Sequence, residues 1–268
     1  MTALDFKRLL EEEMKAVRGS STSTERPNKL SEKCDANHIT TNTEVDLPNT
    51  SLEFLNILMT PIGTISNLLY SPNAVNEQIE NALSQYISWS TSLQPWRNLR
   101  NRKLQCWGNF PIHEDNMKVE DISTPLPSWI DVLIDGLVAA GVFSEDMRPD
   151  NVLINQYQPN EGILHHTDGP AYYDRVAILS LGSDTLLSFR RKLCSASIGI
   201  EYAGDVCSVL LQQRSLFVFE KEAYSMYMHG IADEEPVQAI DSHGVCVNIP
   251  PETSSIRSVR SLSEKIHE

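Results

Sequence analysis

The stretch NVLINQYQPNEGILHHTDGPAYYDRVAILSL, residues 151–181, decides the fold of this protein. It begins with a short apolar run at 151–157, passes through a polar segment rich in turn residues, and ends in a second apolar run at 175–181. Further runs of the same kind follow at 185–189, 206–211 and 215–219. Several short strands with frequent turn signals predict a β-sandwich or barrel rather than a doubly wound parallel sheet.

Two helical patterns precede this strand-rich half. Residues 73–88 place apolar side chains on one face, with Ser71 or Asn73 as the candidate N-cap. Residues 126–142 show the same apolar spacing. Helices followed by strands predict an α+β fold, namely a double-stranded β-helix (jelly roll) with helices packed on one sheet.

Composition divides the chain into three parts. Residues 4–17 have helical apolar spacing, whereas 18–50 are rich in Ser, Thr, Asn and charge and have few large apolar groups. Such a segment cannot offset its ordering entropy, so we expect residues 1–50 to be a short helix and a disordered linker. A helix at residues 1–17 would be marginal alone and is a candidate docking element for a protein partner. Residues 51–240 are expected to form the main domain, with its core at about 149–232, followed by a separate segment at 241–268.

The net charge of −14 argues against broad electrostatic binding of nucleic acid. Arg97, Arg100, Arg102 and Lys103 nevertheless form the densest basic run, and Arg190–Lys192 form a second. The first run is either a solvated face or a contact for substrate phosphate groups. The sequence does not decide between these two interpretations.

The cellular compartment is indicated by cysteine usage and by hydropathy. The five cysteines are odd in number and contain no CxxC pair, which is typical of free thiols in a reducing compartment. There is neither a signal-peptide pattern nor an apolar run of about 18 residues that could span a bilayer. We therefore expect a soluble protein of the cytoplasm and nucleus, without a membrane partner.

One histidine and carboxylate pattern is typical of a metal site. Two histidines and one carboxylate can bind iron(II) on one side and leave positions open for co-substrate and oxygen. The trace His-x-acid occurs at His113–Asp115 and at His166–Asp168. His113 leads into a polar stretch without strand signals and is interpreted as a surface loop. His166 lies between two predicted strands, and His229 follows 61 residues after Asp168, where a jelly roll would return the chain.

Two alternatives stay open at this stage. His165 competes with His166, although His165 and Asp168 would point less readily at a common centre from a short turn. His166 and His229 could also be ordinary hydrogen-bonded histidines.

A co-substrate site is suggested by two polar side chains on the first predicted strand. Oxygen chemistry at iron needs two electrons, which 2-oxoglutarate would supply while its far carboxylate binds a cation and hydrogen-bond donors. Asn155 and Tyr157 lie on one face of their strand because side chains alternate. They are candidate donors, and ordinary strand polar residues are the alternative.

Six segments together resemble the AlkB-like oxygenases, and within them the branch called AlkB homologue 6. They are NRKLQCWGNFP (101–111), LPSWI (126–130), VLINQYQPNEGILHHTDGPAYY (152–173), VAILSLGS (176–183), RSLFVF (214–219) and MHGI (228–231). The resemblance covers roughly residues 95–232, and the combination of HxDGPxYY with LSLGS is specific.

The resemblance implies particular roles for five residues. His166, Asp168 and His229 match the family's iron(II) ligands, and Asn155 and Tyr157 match its pair that contacts 2-oxoglutarate. It implies a dioxygenase that uses iron(II), 2-oxoglutarate and O2 for oxidative N-demethylation of RNA or DNA. In members that act on nucleic acid, the base leaves its stack to reach the metal.

The C-terminal segment departs from the family pattern, whose last strand carries two arginines that bind 2-oxoglutarate. The nearest fit here has Arg260 as the first basic residue and Lys265 as the second, and Arg257 is an alternative anchor. Lysine does not replace arginine at a bidentate carboxylate site. Residues 241–268 are therefore interpreted as divergent or truncated. The acidic net charge leaves an oxygenase of protein or small molecules as one alternative, and the C-terminal departure leaves an impaired binding protein that retains the fold as another.

Overall fold

Antiparallel sheets and a few helices make up the part of the chain that the computed structural model describes, residues 57–109, 124–170, 172–193, 201–233 and 246–248. The helices are α1 (Glu77–Ser90), α2 (Ser128–Ala139) and α3 (Glu222–Met226), with a 3-10 turn at Glu145–Met147. The strands are β1 (Thr60–Pro61), β2 (Leu68–Ser71), β3 (Arg97–Asn98), β4 (Lys103–Gly108), β5 (Asn151–Gln156), β6 (Ile163–His166), β7 (Arg175–Leu179), β8 (Thr185–Leu193), β9 (Glu201–Leu211), β10 (Leu216–Glu220) and β11 (Tyr227–Ile231).

The strands form three sheets in the described residues, and every ladder between them is antiparallel. Their orders are β1-β2-β10-β7, β6-β11-β8-β9 and β3-β4-β5. Neighbours such as β2 and β10 are far apart in sequence, so the chain crosses repeatedly between sheets. This arrangement is consistent with the predicted jelly roll.

The inner faces of the two four-stranded sheets meet in an aromatic core. Phe189 of β8 makes edge contacts with Phe217 and Phe219 of β10, at centroid distances of 6.0 and 5.8 Å. Leu216 and Val218 alternate with these two phenylalanines and are also fully buried, in a cluster with residues of the helical layer. Strand β10 is therefore covered on both faces, which fixes the position of the strands that follow it.

Helices α1 and α2 pack on one side of the sheets, as the order of patterns predicted. Their apolar faces contact Trp107 of β4 together with Val152 and Ile154 of β5. The N-cap of α1 is Asn76, whose Oδ1 accepts from the backbone N–H of Ile79 at 2.8 Å. The predicted caps Ser71 and Asn73 were wrong because Ser71 ends β2 and Asn73 has a positive φ of 52°.

A buried carboxylate ties α1 to the strands. Glu80 is only 4% exposed and accepts from the backbone N–H of Gly182, from Gln213 Nε2 and from Arg214 Nη1, all within 3.0 Å. A buried charge is tolerated when it is paired and hydrogen-bonded in this way. Glu80 thus connects the helix to the turns that follow β7 and β9.

Strands β6 and β11 were not among the strands predicted from the sequence. Strand β6 has four residues, two of them histidines, and β11 carries a glycine and a histidine within five residues. Both were too short and too polar to show strand periodicity. They pair with one another, and this pairing builds the site described below.

Several predicted features lie outside the described residues. They are the helix at 1–17, the linker at 18–50, the loop at His113, Arg257 and Arg260, and nearly all of the segment 241–268. No helix in the described part of the chain is long and apolar enough to cross a membrane.

Candidate metal centre

Two histidines face each other across the β6–β11 pair. His166 is the last residue of β6 and lies directly opposite His229 in the antiparallel register. Directly opposed residues project from the same face of a sheet, so both rings enter the same space. The ring centroids are 4.4 Å apart, and the residues are only 6% and 8% exposed. The sheet therefore brings together two residues separated by 63 positions in the sequence.

Asp168 completes the cluster from the turn after β6. Its Oδ1 lies 3.8 Å from Nε2 of His166 and 3.8 Å from Nε2 of His229. One candidate ligand atom from each residue lies within 4.8 Å of the other two. Three donors so close together can bind one ion in common.

The turn that carries Asp168 is held by its own contacts. Gly169 adopts a φ of +90°, a conformation that glycine enters without steric cost. Its carbonyl oxygen accepts a hydrogen bond from the hydroxyl of Tyr224 in α3. Tyr224 in turn stacks on Phe219, at a centroid distance of 6.4 Å. The carboxylate is therefore presented by a turn anchored to the aromatic core.

A local hydrogen bond fixes the tautomer of His166. Its Nδ1 lies 2.8 Å from the carbonyl oxygen of Leu164. A carbonyl only accepts, so Nδ1 carries the proton and Nε2 keeps its lone pair. That lone pair is on the nitrogen nearest to Asp168, which is the orientation a metal ligand needs.

Burial controls the charge of all three groups. It lowers the pKa of His166 to about 3, with the nearby His229 as the second cause, and lowers the pKa of His229 to about 3 as well. Burial also raises the pKa of Asp168. Both histidines are thus neutral at pH 7. Burial makes the ionised form of Asp168 less favourable, and a bound cation would offset this free-energy cost.

The donor set fits a divalent metal ion such as iron(II). Oδ2 of Asp168 is buried and has no hydrogen-bond partner among the described residues. Buried polar atoms are nearly always paired, so an unpaired carboxylate oxygen beside two neutral imidazoles suits a bound cation.

The pKa shifts of the histidines give a testable pH dependence of the metal-free protein. Both are near 3 in the folded state and 6.5 ordinarily, so the unfolded chain binds more protons below pH 6.5. The free energy of unfolding is therefore expected to decrease as pH falls from 7 to 5, by up to about 1.4 kcal/mol per pH unit for each histidine. Denaturant unfolding at several pH values measures this slope. In the double variant His166→Asn, His229→Asn, the free energy of unfolding should change less steeply with pH than in the wild type. Equal slopes in the two proteins would contradict the lowered pKa values of these histidines.

The predicted co-substrate residues lie near one end of strand β5. Asn155 pairs with Leu104 of β4, whereas Tyr157 directly follows the last residue of β5, Gln156, and lies outside the ladder. Asn155 is exposed and Tyr157 is half-buried. The expectation that these two side chains share a face therefore stays a prediction.

Arg102 changes the interpretation of the basic run. It is only 1% exposed, and its Nε donates to Oδ1 of Asn155 at 3.1 Å. Its charge is also among the groups that lower the pKa of His166. Arg102 therefore cannot belong to an exposed phosphate-binding surface, whereas Arg100 and Lys103 are exposed.

His165 is not part of the cluster. Its Nε2 lies 2.7 Å from the hydroxyl of Ser188 in β8, on the opposite side of β6 from His166. The alternation of the strand separates the two neighbouring imidazoles. The competing assignment of His165 as a ligand is therefore wrong for the cluster seen here.

Comparison with known proteins gives the following relatives. Residues 62–260 match the family model described as the 2OG-Fe(II) oxygenase superfamily. A Danio rerio protein named "Probable RNA/DNA demethylase ALKBH6" is 34% identical over 165 residues, which cover 60% of this chain and 68% of that protein. A Xenopus tropicalis protein named "tRNA (carboxymethyluridine(34)-5-O)-methyltransferase alkbh8" is 30% identical over 169 residues, covering 61% of this chain and 25% of that protein. This chain thus matches about a quarter of the latter's length.

A solved structure titled "The structure of OsALKBH1" was also similar. It aligns with 64% of this chain and 87% of its own, at 11% identity and a TM-score of 0.40.

Proposed function

This chain belongs to the 2OG-Fe(II) oxygenase superfamily, and we propose that it removes N-methyl groups from nucleic acid oxidatively, with iron held by His166, Asp168 and His229. It is an AlkB-like dioxygenase, an oxidoreductase whose family uses iron(II), 2-oxoglutarate and O2. The observation that carries the proposal is the convergence of one carboxylate and two neutral, buried imidazoles on paired strands.

The protein residues supply binding and orientation in this proposal. When bound, iron(II) with 2-oxoglutarate lets O2 oxidise an unactivated C–H bond, giving succinate and carbon dioxide as co-products. His166 is preset by its bond to Leu164, so its Nε2 is available without a change of tautomer. Asn155 and Tyr157 would donate hydrogen bonds to the carboxylate of 2-oxoglutarate.

In the proposed reaction, one oxygen atom is inserted into a C–H bond of an N-methyl group. One oxygen atom of O2 enters succinate and the other enters the substrate C–H bond. The resulting N-hydroxymethyl group breaks its C–N bond, the nitrogen regains a proton, and formaldehyde leaves. The family identity supports the oxidation, and the name of the Danio rerio relative supports nucleic acid as the substrate.

The test is release of formaldehyde from N-methylated RNA and DNA oligonucleotides. We expect release that requires both iron(II) and 2-oxoglutarate and that matches the succinate formed. Unmethylated oligonucleotides of the same sequence should give none. Asp168→Ala should reduce the release by at least about a thousandfold, because the site would lose one of three ligands.

Two results of this assay would redirect the proposal. Succinate formation without formaldehyde from any oligonucleotide would indicate a protein or small-molecule substrate, which the net charge of −14 would favour. Binding of oligonucleotide that does not weaken with salt would also argue against phosphate contacts. Arg97, Arg100 and Lys103 remain the proposed basic contacts, now without Arg102.

The expected partner at residues 1–17 and the location in cytoplasm and nucleus remain proposals. Arg260 remains the proposed cation for the far carboxylate of 2-oxoglutarate, with Arg257 as the alternative. A charged guanidinium and a carboxylate form strong, paired hydrogen bonds, which is why either arginine suits this role.

A further inference from the structure

We infer that Arg102 is a positioning residue of the co-substrate site, which orients the side-chain amide of Asn155 so that its NH2 group donates to 2-oxoglutarate. This inference rests on the proposed function, since it concerns the same co-substrate. It adds Arg102, which directly precedes β4, to the two candidate co-substrate residues Asn155 and Tyr157.

The first observation is a buried charge in contact with Asn155. Arg102 directly precedes β4, is 1% exposed, and donates from Nε to Oδ1 of Asn155 at 3.1 Å. Burial of a guanidinium is costly unless it makes hydrogen bonds. A buried arginine restricts the orientation of the side chains that it contacts. Here that side chain is the amide of Asn155.

The second step follows from the chemistry of a carboxamide. An asparagine side chain ends in one oxygen, which accepts, and one NH2 group, which donates. A rotation of about 180° exchanges the two, so an unrestrained asparagine can present either atom to a ligand. A carboxylate binds only to donors, and the wrong orientation would place two acceptors together. The bond from Arg102 therefore selects the orientation that a carboxylate needs.

The third observation is that the NH2 group of Asn155 can still donate to a ligand. Oδ1 of Asn155 is bonded to Arg102, whereas Nδ2 has no partner among the described residues, and Asn155 is exposed. Asn155 is the fifth residue of β5, and Tyr157 directly follows the last residue of that strand. The NH2 group of Asn155 is therefore available to a ligand, while Arg102 is buried.

The test is calorimetric titration of manganese(II)-loaded protein with 2-oxoglutarate, which measures affinity without turnover. Arg102→Met removes the donor, and we expect the Kd for 2-oxoglutarate to rise about tenfold, with the Kd for manganese within about twofold of the wild type. Arg102→Gln keeps an N–H donor without the charge and should recover most of the affinity. Lys221→Gln, which removes an exposed cation just after β10, is the control and should leave the Kd for 2-oxoglutarate unchanged.

A double-mutant cycle separates positioning from direct contact. Asn155→Ala alone should also raise the Kd about tenfold, and adding Arg102→Met should raise it less than about twofold further. Equal effects of Arg102→Met with and without Asn155 would overturn the inference, because Arg102 would then act on the co-substrate by itself. No effect of Arg102→Met would overturn it too.

A fold check and a second variant keep the test decisive. If Arg102→Met fails to fold, Asn155→Asp replaces it, because this carboxylate still accepts from Arg102 but has no NH2 group. Its Kd must then rise at least as much as that of Asn155→Ala, and wild-type affinity would refute the inference.

Failure of the wild type itself to bind 2-oxoglutarate would overturn both the proposed function and this inference, whereas an unchanged Arg102→Met variant overturns the inference alone.

Discussion

Alanine in place of His166 is expected to lower the affinity for iron(II) by at least about a hundredfold. The side chain would supply one of three ligand atoms that lie within 4.8 Å of one another. Its loss leaves two protein ligands, and even the loss of a supporting residue around a metal site costs 10- to 100-fold in many proteins, about the scale of 1.4–2.7 kcal/mol. Anaerobic calorimetry with iron(II) measures this change directly.

His165→Ala is the matched control for this variant. His165 is the adjacent imidazole in the sequence, but it contacts Ser188 rather than the cluster. Its replacement should leave the iron affinity within about fivefold of the wild type. Equal losses in the two variants would contradict the assignment of ligands, because either general damage to β6 or a role for His165 would then explain the result.

Alanine in place of Gly230 is expected to damage both the fold and the metal site. A Cβ atom at this position would lie 2.9 Å from the backbone nitrogen and 3.0 Å from the Cα of His165. Backbone cannot move aside as a flexible side chain can, so β11 and β6 must separate. We expect a loss of about 3 kcal/mol in the free energy of unfolding. The iron affinity should fall about tenfold, because the two strands carry His229 and His166.

Gly141→Ala supplies the comparison for this second variant. Gly141 has a positive φ of 73°, but a Cβ there meets no atom within 4 Å. Its replacement should cost about 1 kcal/mol through backbone strain and leave the iron affinity unchanged. If Gly230→Ala were no more damaging than Gly141→Ala in denaturant unfolding, the close approach of β6 and β11 would not be what holds the histidines together.

The ligand set could be predicted from the sequence because its signals are local or strongly spaced. His166 and Asp168 are two residues apart and are followed at once by Gly169, which sets a turn. The second histidine required the jelly roll, and the apolar runs at 175–181 and 215–219 indicated that fold. The structure brings the three side chains within 4.8 Å of one another, while their role as ligands stays a prediction.

The direct pairing of His166 with His229 could not be predicted from the sequence. Strand β6 has four residues and β11 has five, and neither shows a clear alternation. Their register depends on contacts with β8 on the far side of β11, which are formed between distant parts of the chain. Such pairing is set by tertiary packing, and local propensity cannot reveal it.

The position of Arg102 shows the same limit for a charged residue. Four basic residues within seven positions suggested a solvated or phosphate-binding surface, because arginine is seldom fully buried. The short strands β3 and β4 instead turn Arg102 inward, and Asn155 of β5 receives its hydrogen bond. The contact joins residues 53 positions apart, so only the ladder between β4 and β5 could reveal it.

The most direct test of the central claim is anaerobic titration of the iron(II)-loaded protein with 2-oxoglutarate, followed by the visible charge-transfer band of the chelate. We expect a saturable band in the wild type and none in His166→Ala under the same conditions. This result would establish that one site binds both metal and co-substrate. A wild-type protein that binds one equivalent of iron(II) but develops no band would contradict the account, and this chain would then be a binding protein that retains the oxygenase fold.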